Sequence, residues 1–232
     1  MATISDNIQE VSGRIARACD AARRPVASVT LLAVSKTFGP EAVREAVAAG
    51  QRRFGENYVQ EALAKIEALA DLRAGLEWHL IGPLQANKTR AVAEAFDWVH
   101  SVDRLKLAQR LSDQRPDHLP PLQVCLQVNV SGEASKSGVA PDDAAALAHA
   151  VAALPRLRLR GLMAIPAPAE GLEAQRRPHR ALHALFDRLN AAGLALDTLS
   201  IGMSADLEAA VLEGATLLRV GSAIFGTRAP AA

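Results

Sequence analysis

One lysine, one arginine and two turns built from small residues carry the chemistry available to this sequence. Lys36 directly follows the apolar run LLAVS and is one of only five lysines among 26 basic residues. A strand-end lysine with its stem among apolar neighbours is partly desolvated, which disfavours the ammonium form and frees the amine as a nucleophile. The same side chain could instead snorkel to solvent or pair with Glu56. Further along, SIGMSADLEAAV sets Gly202 where a backbone can approach a ligand closely and Ser204 where it can cap the next helix. RVGSAIFG repeats the idea, with Gly221 and Ser222 ahead of a short helical stretch. Exposed N–H groups at such starts favour a phosphate, although a capped helix and a tight turn make the same pattern. A reactive amine facing a phosphate cradle suits an aldehyde that carries a phosphate, held as a Schiff base. Pyridoxal 5′-phosphate (PLP) is the obvious candidate. Arg219 would point inward and meet the pyridine nitrogen, one of the two partner types known for it, or form a salt bridge with a residue such as Glu56.

Other side chains say less. His79 is as readily a packed histidine as a functional one, and no histidine–carboxylate set shows metal-ligand spacing. Arg156, Arg158 and Arg160 alternate ahead of an apolar strand end and read as a solvated strand start. Arg176, Arg177 and Arg180 read as a wet helix face. Lys136, in VSGEASKSG, is either on the surface or leaning over the site.

These residues need elements to position them. Residues 1–24 show apolar positions at helical spacing (Ile4, Ile8, Val11, Ile15, Ala18). After Pro25 the pattern alternates. Strands are expected at 29–35, 53–54, 78–82, 98–101, 124–130, 157–165, 199–202 and 216–220. Helices are expected at 41–49, 58–69, 85–95, 102–111, 141–154, 175–192 and 205–213, several of them ending at a glycine such as Gly50 or Gly193. An average strand, helix and two loops need about 24 residues, so eight such units fill about 192. The chain past Pro25 offers 207. The expected fold is therefore α/β: a (β/α)8 TIM barrel over 25–232 with an extra N-terminal helix at 1–24 and no second domain. A doubly wound sheet is the rival, but its Gly-rich first turn is missing from SKTFGP. In a barrel the chemistry gathers at the C-terminal strand ends, and a phosphate sits beside the last two strands.

Composition narrows the setting. The 232 residues are 50% hydrophobic and carry a net charge of +1, without the basic excess of a nucleic-acid protein. Two cysteines, Cys19 and Cys125, make no disulfide framework and point to a reducing compartment. No apolar run reaches the ~18–20 residues of a membrane span, and the N-terminal segment lacks the apolar core of a signal peptide. A cytoplasmic location is expected.

The strings AVSKT, FGENYVQEA, WHLIGPLQANK, SKSG, GLMAIP, SIGMSADLEAAV and RVGSAIFG, in this order, resemble the YggS/PROSC family of PLP homeostasis proteins over about 31–226. That family in turn is similar to the N-terminal barrel of bacterial alanine racemase. The resemblance implies a PLP-binding barrel with the Schiff base on Lys36, Asn57 near the cofactor and Arg219 at the pyridine nitrogen. It implies Ser200, Met203, Ser204, Gly221 and Ser222 around the phosphate. It also implies a role in keeping free PLP low and supplying it to PLP-dependent apo-enzymes, with no turnover reaction and no catalytic residue. Many members read SKTKP where this chain has Phe38 in place of the second lysine, so a relay of PLP through a neighbouring lysine would have to use Lys136. The alternatives are a PLP-dependent amino-acid racemase and, third, a Schiff-base aldolase acting on a phosphorylated sugar. Racemisation needs a second acid/base opposite Lys36, and the residue count leaves no room for the extra domain that supplies it in alanine racemase. A monomer without nucleic-acid or membrane partners is expected.

Overall fold

The structure is a computed structural model that describes residues 2–132 and 137–226. Lys136 lies outside the described residues. Eight short apolar runs form β1 (Thr30–Val34), β2 (Arg53–Glu56), β3 (Glu77–Leu80), β4 (Trp98–Val102), β5 (Leu122–Gln127), β6 (Leu157–Met163), β7 (Thr198–Ser200) and β8 (Leu217–Val220). They pair in parallel and in chain order, and β8 returns to β1 with Thr30 beside Leu217 and Ala33 beside Val220. The sheet is thus a closed (β/α)8 barrel, as its alternating pattern leads one to expect. Around it run α2 (Pro40–Ala48), α3 (Val59–Ala68), α4 (Thr89–Ala95), α5 (Leu105–Gln114), α6 (Ala144–Ala152), α7 (Leu172–Ala191) and α8 (Leu207–Leu212). Helix α1 (Ile4–Ala21) precedes the barrel, and the single turn α9 (Ser222–Phe225) follows β8.

Period-two alternation divides the apolar residues between two places. On β1, Ala33 joins the large cluster between sheet and helices, whereas Leu32 and Val34 belong to a small separate cluster with Ile81 and Leu217. Trp98, Cys125 and Met163 form a second small cluster. These small clusters fill the barrel's interior together with buried polar side chains, His79, His100, Ser200 and Arg219. Helix α1 starts with a capping box: the Thr3 hydroxyl accepts from the Asp6 amide, and the Asp6 carboxylate accepts from the Thr3 amide. It buries Ile8, Val11 and Ile15 and packs on α8 and α9, where Arg14 pairs with Glu208 at 2.7 Å.

Several boundaries differ from those expected. Val102, expected to open a helix, ends β4 beside Leu126, because a β-branched and fully buried residue fits a strand; α5 starts three residues later. Helix α6 starts at Ala144, since Pro141 to Asp143 form a turn whose carbonyl at Pro141 accepts from the Ala144 amide. Helix α7 starts at Leu172, just after Gly171 at φ +82°, and contains Pro178. The expected 85–95 helix divides into a 3-10 turn at Ala86–Lys88 and α4.

Candidate functional site

At the C-terminal mouth of the barrel a cavity of about 490 Å³ is lined by Val34, Lys36, Asn57, Ile81, Ile165, Met203, Ser204, Ala205, Arg219, Gly221 and Ser222. Seven of the eight residues singled out from sequence line it. Ser200 does not. It is fully buried below, where its hydroxyl lies 2.8 Å from His100 and accepts from Arg219 at 2.7 Å. A second cavity of about 410 Å³ shares Asn57, Ile81, Ile165 and Met203 with the first. A larger cleft, about 1000 Å³, is lined by apolar and charged side chains together, among them Arg73 paired with Asp97 at 2.9 Å.

Lys36 sits in a turn after β1, exposed on the cavity wall rather than desolvated as its apolar neighbours suggested. Its neighbours are held firmly. Thr37 has φ +68°, a left-handed conformation that strains a β-branched residue, and its amide donates to the Glu61 carboxylate at 2.5 Å. The Lys65 ammonium donates to the Ser35 carbonyl at 2.8 Å, to Glu56 at 2.6 Å and to Glu61 at 3.3 Å. The Ser35 hydroxyl also donates to Glu56, at 2.6 Å. Glu56 therefore pairs with Lys65, not with Lys36 or Arg219 as the sequence left open. Burial pushes the Glu56 carboxyl up, against the pull of Lys65 and Ser35. Phe38, in place of a second lysine, lies 5.2 Å from the Phe225 ring and ties this loop to α9.

Two glycines bring backbones together here. A Cβ on Gly82 would fall 2.1 Å from the Asn57 carbonyl, so only glycine lets the β3 loop close behind Asn57. Gly202 has φ +89°, and a Cβ there would meet Ala210 at 2.5 Å. The Asn57 side-chain oxygen is buried without a partner among the described residues.

Arg219 is the buried cation of the cavity floor. One Nη1 donates to the Ser200 carbonyl and hydroxyl, and Nη2 donates to the Ala164 carbonyl at 2.8 Å. A guanidinium has five N–H donors, so two are unused among the described residues. Burial pushes its pKa down to about 10, with Asp206 opposing, so it stays charged at neutral pH. A buried cation with no carboxylate in hydrogen-bond contact among the described residues, and with donors left over, asks for an acceptor in the cavity.

Ser204 does not cap α8, which has no side-chain cap; its hydroxyl accepts from the Ala223 amide of α9 at 3.3 Å. Asp206 instead takes the Met203 amide at 2.7 Å and faces His179 at 2.9 Å. Helices α8 and α9 span six and four residues. An anion here would therefore rely on the Ser204 and Ser222 hydroxyls and on close backbone at Gly202 and Gly221, more than on a helix dipole.

Some supporting residues escape a sequence reading. Lys65 looks like the surface end of a Glu61–Lys65 pair at i,i+4, yet it is 3% exposed. His100 carries only a faint signal, its place in WVHSV two residues from Trp98 on the same strand face. Arg160 is not merely solvated: it lies 4.7 Å above the Trp98 ring and grips Asp197 at 2.8 Å. Arg176 and Arg180, expected on a wet face, both bind the buried carboxylate of Glu213.

The barrel, its lysine mouth and its inward arginine define a class. The family model for the alanine racemase N-terminal domain matches residues 10–229. An alanine racemase structure from Corynebacterium glutamicum shares the fold at TM-score 0.69 and 18% identity, covering 96% of this chain and 62% of that one. Closer relatives are more particular. A Pseudomonas aeruginosa pyridoxal phosphate homeostasis protein is 64% identical over 228 residues, 98% of this chain and 97% of the relative. PipY of Synechococcus elongatus, solved with PLP bound, is 41% identical at TM-score 0.80, covering 91% of this chain and all of PipY. The chain belongs to the YggS/PROSC family of pyridoxal phosphate homeostasis proteins.

Proposed function

We propose that this chain binds PLP at the barrel mouth through Lys36, with Asn57, Met203, Ser204, Arg219, Gly221 and Ser222 as contacts, and holds it for homeostasis and supply without turnover. The observation that carries the reading is one cavity with an exposed primary amine on one wall and a buried guanidinium with unused donors on its floor. The PLP-bound relative and the homeostasis relatives support it. When bound, PLP supplies an aldehyde that condenses with an amine and releases water; Lys36 is the amine at this mouth. Ser204, Ser222 and the close backbone at Gly221 receive the phosphate end. Arg219, which can only donate, leaves a ring nitrogen facing it unprotonated, so the ring withdraws electrons poorly.

The holding role is further supported by what else lines the cavity. Among the described residues Lys36 and Arg219 are its only titratable side chains. Lys36 could move a proton on one face of an α-carbon, but Arg219 cannot serve as a base on the other. Tyr58 is 59% exposed and outside the lining, so among the described residues the racemase reading has no second acid/base. We extend the proposal to a single-domain monomer in the cytoplasm that hands PLP to apo-enzymes. No described helix is long and apolar enough to cross a membrane.

The test is the visible spectrum of the purified chain titrated with PLP. A yellow band that borohydride bleaches is expected, and Lys36→Ala should abolish it. Pyridoxal without its phosphate should bind at least about tenfold more weakly, since charge-assisted hydrogen bonds contribute about 1.5–3 kcal/mol each. Equal affinities for the two, or rapid deuterium exchange at the α-carbon of both alanine enantiomers that is lost in Lys36→Ala, would overturn the reading.

A further inference from the structure

Below Arg219 the barrel interior holds a continuous row of polar atoms that the cavity itself does not use. The Arg219 Nη1 is 2.7 Å from the Ser200 hydroxyl, which is 2.8 Å from His100 Nδ1. His100 Nε2 is 2.9 Å from His79 Nδ1, and His79 Nε2 is 2.8 Å from the Glu77 carboxylate. Both histidines and Ser200 are fully buried, while Glu77 is 38% exposed and also meets Arg53 at 3.2 Å. The His79 ring is stacked on Trp98 at 5.2 Å, which fixes its plane.

The direction of every bond in this row follows from its ends. An ionised carboxylate only accepts, so His79 Nε2 carries a proton and donates to Glu77. A neutral imidazole has one N–H, so His79 Nδ1 accepts from His100 Nε2. His100 Nδ1 must then accept from the Ser200 hydroxyl. That hydroxyl's oxygen is free to accept from Arg219, which can only donate. The two ends agree independently. Burial, the leading cause for both rings, keeps His79 and His100 neutral; His79 is opposed by Glu77 and Asp97 and helped by Arg53, and His100 is helped by His79 and Arg219.

We propose that Glu77, His79 and His100 are positioning residues for Arg219: a one-way string of four hydrogen bonds across the barrel fixes the guanidinium against Ser200 and keeps its remaining donors turned to the cavity. The string also commits the Ser200 proton to His100, so Ser200 supports the arginine and does not bind phosphate. The part of this inference that concerns the ligand rests on the PLP reading above; the string itself does not.

Two measurements separate these parts. Ring-nitrogen NMR on the chain without added PLP should show a proton on Nε2 and none on Nδ1 for both His79 and His100. This pattern should hold at about pH 7–8 and persist to lower pH than in a free histidine. A proton on either Nδ1 at about pH 7–8, or titration at or above the range of a free histidine, overturns the string whether or not PLP binds. The second measurement uses Glu77, which lies at the open end of the string and leaves the interior packing intact when changed. Glu77→Ala should free both tautomers and weaken PLP retention about three- to tenfold, the scale of one lost buried hydrogen bond. Glu77→Gln, whose carbonyl still accepts from His79, should behave as the unaltered chain. Glu77→Ala with both tautomers unchanged, or with PLP retention unchanged, would overturn the positioning role.

Discussion

Beneath Lys36 the barrel holds a compact ionic cluster, whereas beneath Arg219 it holds an extended neutral string. Glu56, Lys65 and Glu61 crowd three charges into a few ångströms, with contacts of 2.6 and 3.3 Å at one ammonium. His79, His100 and Ser200 spread their contacts over three strands, and none of the three needs a charge. The difference follows from what each supports. Lys36 lies in an exposed turn, so its neighbours Ser35 and Thr37 must be gripped from outside the strand, and a buried ion pair grips strongly. Arg219 is itself a buried charge. A second charge of the same sign would repel it, so neutral groups that accept in one direction suit it better.

This contrast is broken most severely at Lys65. Lys65→Met keeps the stem's volume and removes the ammonium, leaving Glu56 buried and uncompensated. A loss of about 3–5 kcal/mol is expected in urea unfolding. Its pH dependence has a definite sign. The folded chain already holds the Glu56 proton more tightly than the unfolded chain does. That contribution is complete below the ordinary glutamate range and fades as pH rises through the folded value. Without Lys65 the carboxyl rises further, so the deficit should be larger at about pH 8 than at about pH 5. A deficit independent of pH would show that Lys65 acts through packing alone.

The neutral string should fail more mildly and in the opposite pH direction. His100→Phe leaves the Ser200 hydroxyl proton without an acceptor and His79 Nδ1 without a donor, a cost of about 2 kcal/mol. His79 and His100 both hold protons less tightly folded than unfolded. Their contribution is therefore present above about pH 6.5 and is lost as pH falls below it. Thermal melts of the unaltered chain should fall in mild acid, and His100→Phe should show a shallower fall. An equally steep fall in the variant would assign the acid sensitivity to groups other than His100.

The same contrast explains what the sequence made legible. Lys36, Arg219 and the Gly221 turn are readable as neighbours because strand periodicity puts strand ends at one mouth, and they line one cavity there. The barrel followed from alternation and spacing. The supports were not readable, because they depend on register between elements. Lys65 meets Glu56 only because α3 lies back over β2, and a Glu61–Lys65 pair looks the same on any solvated helix. His79 and His100 meet because β3 and β4 pair with His79 beside Trp98, an alignment that neither strand states alone. The family resemblance implies Ser200 near the phosphate, whereas β7 ends with Ser200 buried beneath the cavity, a depth that the strand's sequence does not state. Ser204 was read as a helix cap, but the turn to α8 is longer than a cap allows, and its hydroxyl serves α9.

The smallest expected effect lies where the ionic cluster meets the chain next to Lys36. Thr37 is held at φ +68° by the Glu61 bond, in a conformation that costs a β-branched residue about 1–2 kcal/mol. Glycine adopts it freely but gives the unfolded chain more freedom, a loss of about 0.4–1 kcal/mol. Thr37→Gly should therefore change stability by about 0–1.6 kcal/mol, on the stabilising side. The amide bond to Glu61 needs no side chain and survives, so Lys36 should keep its place and the reaction with PLP proposed for it. Pairing the change with Glu61→Gln sharpens the comparison. Glutamine can still accept from the Thr37 amide but no longer attracts Lys65, so the turn loses its ionic anchor and keeps its hydrogen bond. If the rate at which Lys36 takes up PLP falls only in the double variant, the cluster holds the turn through charge. If Thr37→Gly alone slows it, the strained backbone is what aims Lys36, and the ionic cluster is its consequence.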